Sequence, residues 1–451
     1  MLKYEIDMSR GSIFKNLIRF AVPLMLTNLL QIFYNAADTV IAGRCDGADA
    51  LAAIGATSSL HNLLVNMFLG LSIGASVTVS RKFGAGDMKG LKRTVHTTVL
   101  LGVIMGFVCM VIGLAFCKPL LSVMGTPDNV IDTSALYMKI IFLGIPAAMV
   151  YNFGAAILRS VGDTKRPLYI LSASGLLNVL LNIIFVMVFR MGVAGVAIAT
   201  IIANYVSAVA VVYVLKFSDS PYSLNFKELK LNKEDTLEIV KIGLPAGLQS
   251  CMFSLSNIVI QSAVNKLGPA AIAGNAAAYS IEYFGYVIVT SLYQATLTSV
   301  GQNYGAKQEK RIYKTMGISL ACAVVVGLLF GVGVAVFARP LLGIYITDSP
   351  EAIEFGIQRI LVGVLPYFIC SMMEQFAGLL RGVGRSLIPA VNTVIGTCLL
   401  RLVWVFIVFP INPTVLWLYT CYPISWTICT LMHLVTFVVI RKKAMLKMME
   451  Q

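Results

Sequence analysis

The chain has 451 residues, of which 58% are hydrophobic and only 12% charged, and its mean hydropathy of +0.84 lies far outside the soluble globular range. A formal net charge of +14 would serve a nucleic-acid partner only from a basic face on a soluble surface. The cations sit instead between apolar runs, so nucleic acid is excluded and an all-α integral membrane protein is expected.

Taken in chain order, the amino terminus "MLKYEIDMSRGSIFKN" mixes charges and has no short apolar core ending in a cleavage site, so no signal peptide is expected to be removed. About 20 apolar residues cross a ~30 Å hydrocarbon layer at 1.5 Å per residue. Twelve such stretches follow, at 14–43, 50–80, 95–117, 135–158, 168–189, 193–215, 242–266, 271–299, 316–337, 356–380, 388–410 and 414–440. Sorted by alternating loops, 27 of the 35 Lys and Arg fall on one side and seven, Arg359 among them, on the other, with Arg401 inside a span. Basic residues are retained on the cytoplasmic side, so both termini are expected to be cytoplasmic. The nine cysteines lie mostly in apolar runs without a C-x-x-C pair and read as small hydrophobes.

The two halves repeat with an offset near 222. "IRFAVPLMLTN" (18–28) matches "VKIGLPAGLQS" (240–250), "RKFGAGDMKGLKRTV" (81–95) matches "QNYGAKQEKRIYKTM" (302–316), and "ILRSVGDTKRPL" (157–168) matches "LLRGVGRSLIPA" (379–390). The division that follows is an N-lobe at 1–218, a charged cytoplasmic linker at 219–240 and a C-lobe at 241–451. Six spans per half is an even number, so the lobes are expected to be related by a pseudo-twofold axis along the membrane normal. Repeats of this kind frame a transport pathway.

Polar stripes run along several spans. Thr27, Gln31, Tyr34 and Asp38 are spaced 4, 3 and 4 on one face of the first. An ionised residue at mid-membrane costs roughly 2.5–3.5 kcal/mol, so it normally faces a cavity or a partner. Asn178 and Asn182 stand at i, i+4 on the fifth span, as do Thr200 and Asn204 on the sixth; interhelical hydrogen bonding is the other reading of both pairs. The second half carries Asn275, Tyr279, Glu282 and Tyr286, and then Tyr367, Ser371 and Glu374. Carboxylates flanked by aromatic rings suit an organic cation, unless they pack helices together or pair with Arg401. The repeat puts Ile260 opposite Asp38, so the halves differ chemically.

"GLSIG" (70–74) fits G-x-S-x-G, but that motif marks a nucleophile only in a strand-to-helix elbow; packing glycines in an apolar run are expected, and no enzyme. There is no G-x-x-x-x-G-K-[ST] loop for ATP. No cofactor is expected beyond a coupling ion.

Together "FAVPLMLTNLLQIFYNAADTVIAG", "VSRKFGAGD", "LRSVGDTKRP", "GVAGVAIAT", "GQNYGA" and "LLRGVG", in this order and duplicated, resemble the multidrug and toxic compound extrusion (MATE) family from about residue 12 to 440. The resemblance implies two six-helix lobes and export of cationic amphipathic drugs against inward flow of H⁺ or Na⁺. It also implies a cation-coupling site at Asp38, Asn178 and Thr200, with Gln31 and Tyr34 preceding the acid. Asn182 stands where the family often has aspartate, which leaves one carboxylate; oxygens of Asp38, Asn178, Asn182 and Thr200 would still suit Na⁺. Tyr279, Glu282, Tyr286 and Glu374 join Gln31 and Tyr34 as substrate-cavity candidates. A monomer in the bacterial plasma membrane is expected. The alternatives are a lipid-linked saccharide flippase or a narrow-specificity metabolite exporter.

Overall fold

A computed structural model describes residues 4–123 and 128–450; within them, side chains are described except at 42–56, 58–64, 123, 128–130, 443, 444, 447 and 450. Every predicted span falls on helix. The first two are one continuous helical element, α1 (Ile13–Gly84), where the sequence suggested a break at 43–50. Then come α2 (Met88–Val123), α3 (Asp128–Ser160), α4 (Lys165–Asn182), α5 (Gly192–Lys216), α6 (Lys233–Asn265), α7 (Pro269–Gly305), α8 (Glu309–Val336), α9 (Ala338–Gly343), α10 (Pro350–Arg359), α11 (Tyr367–Gly382), α12 (Leu387–Thr393), α13 (Leu400–Val403), α14 (Val415–Tyr419) and α15 (Cys421–Glu450).

Nine helical segments among the described residues are long and apolar enough to cross a membrane, or ten counting Pro350–Val364 with Tyr367–Gly382, which bend by 43°. Pro366 explains the bend, since it lacks the N–H that would continue the ladder. The 37-residue α7 is absent from that set because its polar stripe lowers its hydropathy. Exposed apolar side chains such as Val439 and Leu329, 73% and 71% exposed, would face lipid rather than water.

The chain forms two compact units. Unit 1 is Met1–Asp7 with Val22–Gly247, and unit 2 is Met8–Ala21 with Leu248–Gln451, whereas the repeat alone divides the chain at 219–240. Hydrogen bonds explain the difference. In unit 2 the Met8 N–H donates to Gln302 Oε1 at 2.7 Å, and Arg311 Nε donates to the Met8 carbonyl at 3.1 Å. In unit 1 Arg93 Nε donates to Asp235 Oδ2 at 2.9 Å, which ties the start of α6 to α2.

Within unit 1, α1 and α6 approach backbone to backbone. A Cβ on Gly70 would lie 2.2 Å from the Gly247 nitrogen, and one on Gly74 would lie 2.1 Å from the Ile239 carbonyl oxygen. Between them Ser72 Oγ donates to its own helix at Leu69 O, 2.7 Å. "GLSIG" is therefore a helix-packing stripe. The described cysteines are all free.

Candidate functional site

In unit 1 three helices bring a polar chain to Asp38. Asn182, the last residue of α4, donates from Nδ2 to Asp38 Oδ1 on α1 and, at 3.3 Å, to Asn178 Oδ1 one turn back. Asn178 Nδ2 lies 3.4 Å from Thr200 Oγ1 on α5, and Thr200 donates to Val196 O at 3.0 Å. Asn178 and Asn182 are buried while Asp38 is half-buried. No cation is hydrogen-bonded or ion-paired to Asp38 among the described residues. The Asn182 Oδ1 atom is buried with no partner. The site thus has more acceptors than donors: one carboxylate, one orphan amide oxygen, and an Asn178 oxygen met only at 3.3 Å. That balance fits a cation with oxygen ligands or a proton.

Backbone irregularity adjoins the site. Directly after Asn182 the helix widens into π-helical turns, Ile183–Val188, a form that clusters at functional positions. Tyr34 is held rather than free: its hydroxyl donates to Ser172 O at 3.2 Å, and its ring occupies the place a Cβ on Gly175 would take. Gln31 is exposed on α1, and Thr27 donates to Pro23 O on its own helix.

Unit 2 is built differently. Glu282 on α7 pairs with Arg359 Nη2 at 2.7 Å. Arg359, grouped with the loop cations in the sequence, sits at the end of α10 at 3% exposure. Its Nη1 also donates to Asn275 Oδ1, which accepts from the Tyr419 hydroxyl at 2.8 Å, while Asn275 Nδ2 donates to Gln261 Oε1 at 2.7 Å. The guanidinium lies over Tyr279, Tyr419 and Tyr422 at 5.4, 5.5 and 5.6 Å from the ring centroids. Of the alternatives the sequence left open, pairing of Glu282 with Arg401 does not form, and three rings near Glu282 already face a protein cation. A sequence signal existed, since Arg359 lies within the apolar stretch 356–380, but only the fold brings α10 to α7.

Glu374 on α11 is half-buried and has neither a hydrogen bond nor an ion pair among the described residues. Seven residues on, Arg381 donates to the Tyr293 hydroxyl and, at 2.6 Å, to Gln249 Oε1. Tyr279, Tyr283 and Tyr286 form a ladder on α7 with ring centroids 6.5 and 6.0 Å apart, all partly exposed. Tyr283 was not singled out from the sequence, although its i, i+4 spacing from Tyr279 carries the ladder.

The MatE family model matches residues 23–184 and 245–407, one copy in each half. A probable multidrug resistance protein of Bacillus subtilis, YoeA, is 28% identical over 393 residues, covering 86% of this chain and 85% of the relative. The multidrug export protein MepA of Staphylococcus aureus is 24% identical over 380 residues, covering 84% and 83%. The crystal structure of a MATE protein in complex with MaL6 superposes with a TM-score of 0.89 at 21% identity, covering 100% of both chains.

Proposed function

Because the chain belongs to the multidrug and toxic compound extrusion family, we propose that it exports cationic amphipathic compounds across the bacterial plasma membrane, driven by inward H⁺ or Na⁺. The observation that carries this reading is the Asp38 site: a carboxylate on a membrane-crossing helix met by a neutral amide, with an orphan acceptor beside it. A carboxylate locked to an arginine could not exchange its charge with a gradient. One held by an amide N–H can.

Asp38 is the coupling group. As the carboxylate it accepts from Asn182 Nδ2 and presents one negative charge to unit 1's interior. On taking a proton it becomes a donor, and rotation of the Asn182 amide offers Oδ1 to receive it. Na⁺ would instead collect oxygens from Asp38, Asn182, Asn178 and Thr200. Either ion cancels the charge, and a cationic substrate then loses its attraction to this region. Coupling requires ion and substrate to bias the same equilibrium in opposite directions. A pH gradient contributes ~1.4 kcal/mol per unit for each proton. The 27-to-7 division of Lys and Arg supports cytoplasmic termini.

The test is ethidium efflux from proteoliposomes carrying wild type or Asp38→Asn, with pH and Na⁺ gradients imposed separately. Wild-type efflux under one gradient, lost in the variant while its Tm is retained, is the expected result. Equal gradient-driven efflux from both proteins defeats the assignment of Asp38.

A further inference from the structure

The membrane-crossing helices of unit 2 hold more positive charge than their own acids neutralise. Arg359, Arg381 and Arg401 are buried there at 3, 4 and 1% exposure, against Glu282 and Glu374. Glu282 belongs to Arg359. Glu374 lies on the face of α11 that carries Arg381 two turns later, about 10 Å along the axis, and acts on it electrostatically. Arg401 is paired with neither acid among the described residues.

Its direct partners are neutral. Nε donates to Ser425 Oγ at 3.2 Å and Nη1 to Asn257 Oδ1 at 3.1 Å. The guanidinium stacks on Tyr422 and Phe253, 4.5 and 5.1 Å from the ring centroids; rings attract a cation without supplying charge. Nη2 is buried and has no partner among the described residues. Trp426, whose ring lies 5.7 Å from that of Tyr422, also has a buried Nε1 without a partner among the described residues. Arg401 lies well inside the apolar segment Leu387–Ile411. A buried carboxyl or lysine can escape its charge through the proton, but a guanidinium cannot, so a lone one needs a counter-ion.

We propose that unit 2 binds one small monovalent anion of the halide class against Arg401 Nη2. The near-complete burial of Arg401 favours a single-atom ion over an organic acid. The ion stabilises unit 2, and its binding is independent of the coupling chemistry at Asp38.

The full chain, purified in detergent and washed into sodium gluconate, is moved to chloride at constant ionic strength, and Tm and retained radioactive chloride are followed. The expected result is a Tm higher by roughly 3 °C in chloride and specific retention of the ion. Asn257→Asp puts a carboxylate where an amide oxygen already accepts from Arg401; it should abolish retention and hold the Tm in gluconate at or above that of the wild type in chloride. Arg401→Gln should also lose retention. Equal wild-type behaviour in chloride and gluconate overturns the proposal, as does undiminished retention by Asn257→Asp. Stabilisation by acetate as great as by chloride overturns the halide assignment in favour of a carboxylate ligand.

Discussion

Asp38 in unit 1 and Glu282 in unit 2 are both carboxylates on membrane-crossing helices, yet the first meets an amide and the second a guanidinium. Duplication supplied each half with the same helices, and divergence then separated their interiors. The repeat position of Asp38 is Ile260, which is 2% exposed within an apolar cluster. An acid opposite an amide can be neutralised by a mobile ion at small cost to the fold. One opposite a buried arginine holds the structure together, and removing either charge strands the other.

The largest expected effect tests that division directly. Glu282→Gln leaves the Arg359 guanidinium buried beside three tyrosine rings without its anion, and should cost about 3–5 kcal/mol of stability. Asp38→Asn should change stability by no more than about 1 kcal/mol, because no buried cation depends on it. Denaturation in a mild detergent, monitored by circular dichroism, compares the two variants. The double variant Glu282→Met, Arg359→Met removes both charges and should recover most of the Glu282→Gln loss. If Asp38→Asn proves the more destabilising single change, the two acids have been assigned the wrong roles.

Much of the frame was legible in the sequence, because lipid makes each crossing helix an apolar run of about 20 residues and the repeated prolines and glycines register the halves. The polar cluster around Asp38 was legible for a similar reason: Asp38 is the lone carboxylate of its span, and Asn178 and Asn182 share a helix face. What stayed hidden depends on contacts between distant segments. The ion pair of Arg359 with Glu282 joins residues 77 positions apart. The π-helical turns after Asn182 are a local widening with no composition signal. The exchange of leading segments, Met8–Ala21 into unit 2 and the start of α6 into unit 1, was invisible because the charges that pin it look like ordinary loop charges.

A smaller effect sharpens the comparison at a pair of repeated turns. Gly162 and Gly384 adopt φ of 86° and 73°, a conformation that favours glycine. The hydrogen bonds match too: Asp163 N–H donates to Leu158 O and Arg385 N–H to Leu380 O, both at 2.9 Å. The backbones agree while the third residue changes sign. Asp163 is buried, and its Oδ1 accepts from the Lys165 and Arg166 N–H groups at 3.2 and 3.1 Å. Burial nevertheless pushes its carboxyl up to about 6, ahead of the lowering by Arg166. A folded-state value above the ordinary 3.8 means that the folded chain holds the proton more tightly than the unfolded one. The contribution of Asp163 is therefore fully present below about pH 4 and is lost as the pH rises through about 6. Across that window the Tm of the wild type should fall relative to Asp163→Asn, by the equivalent of up to about 3 kcal/mol. Arg385→Gln, at the matching turn, carries no carboxyl and should track the wild type. A wild-type minus Asp163→Asn difference that is flat from pH 4 to 6 would mean that the Arg166 ion pair, at 3.2 Å, outweighs burial and that the two turns differ in charge alone.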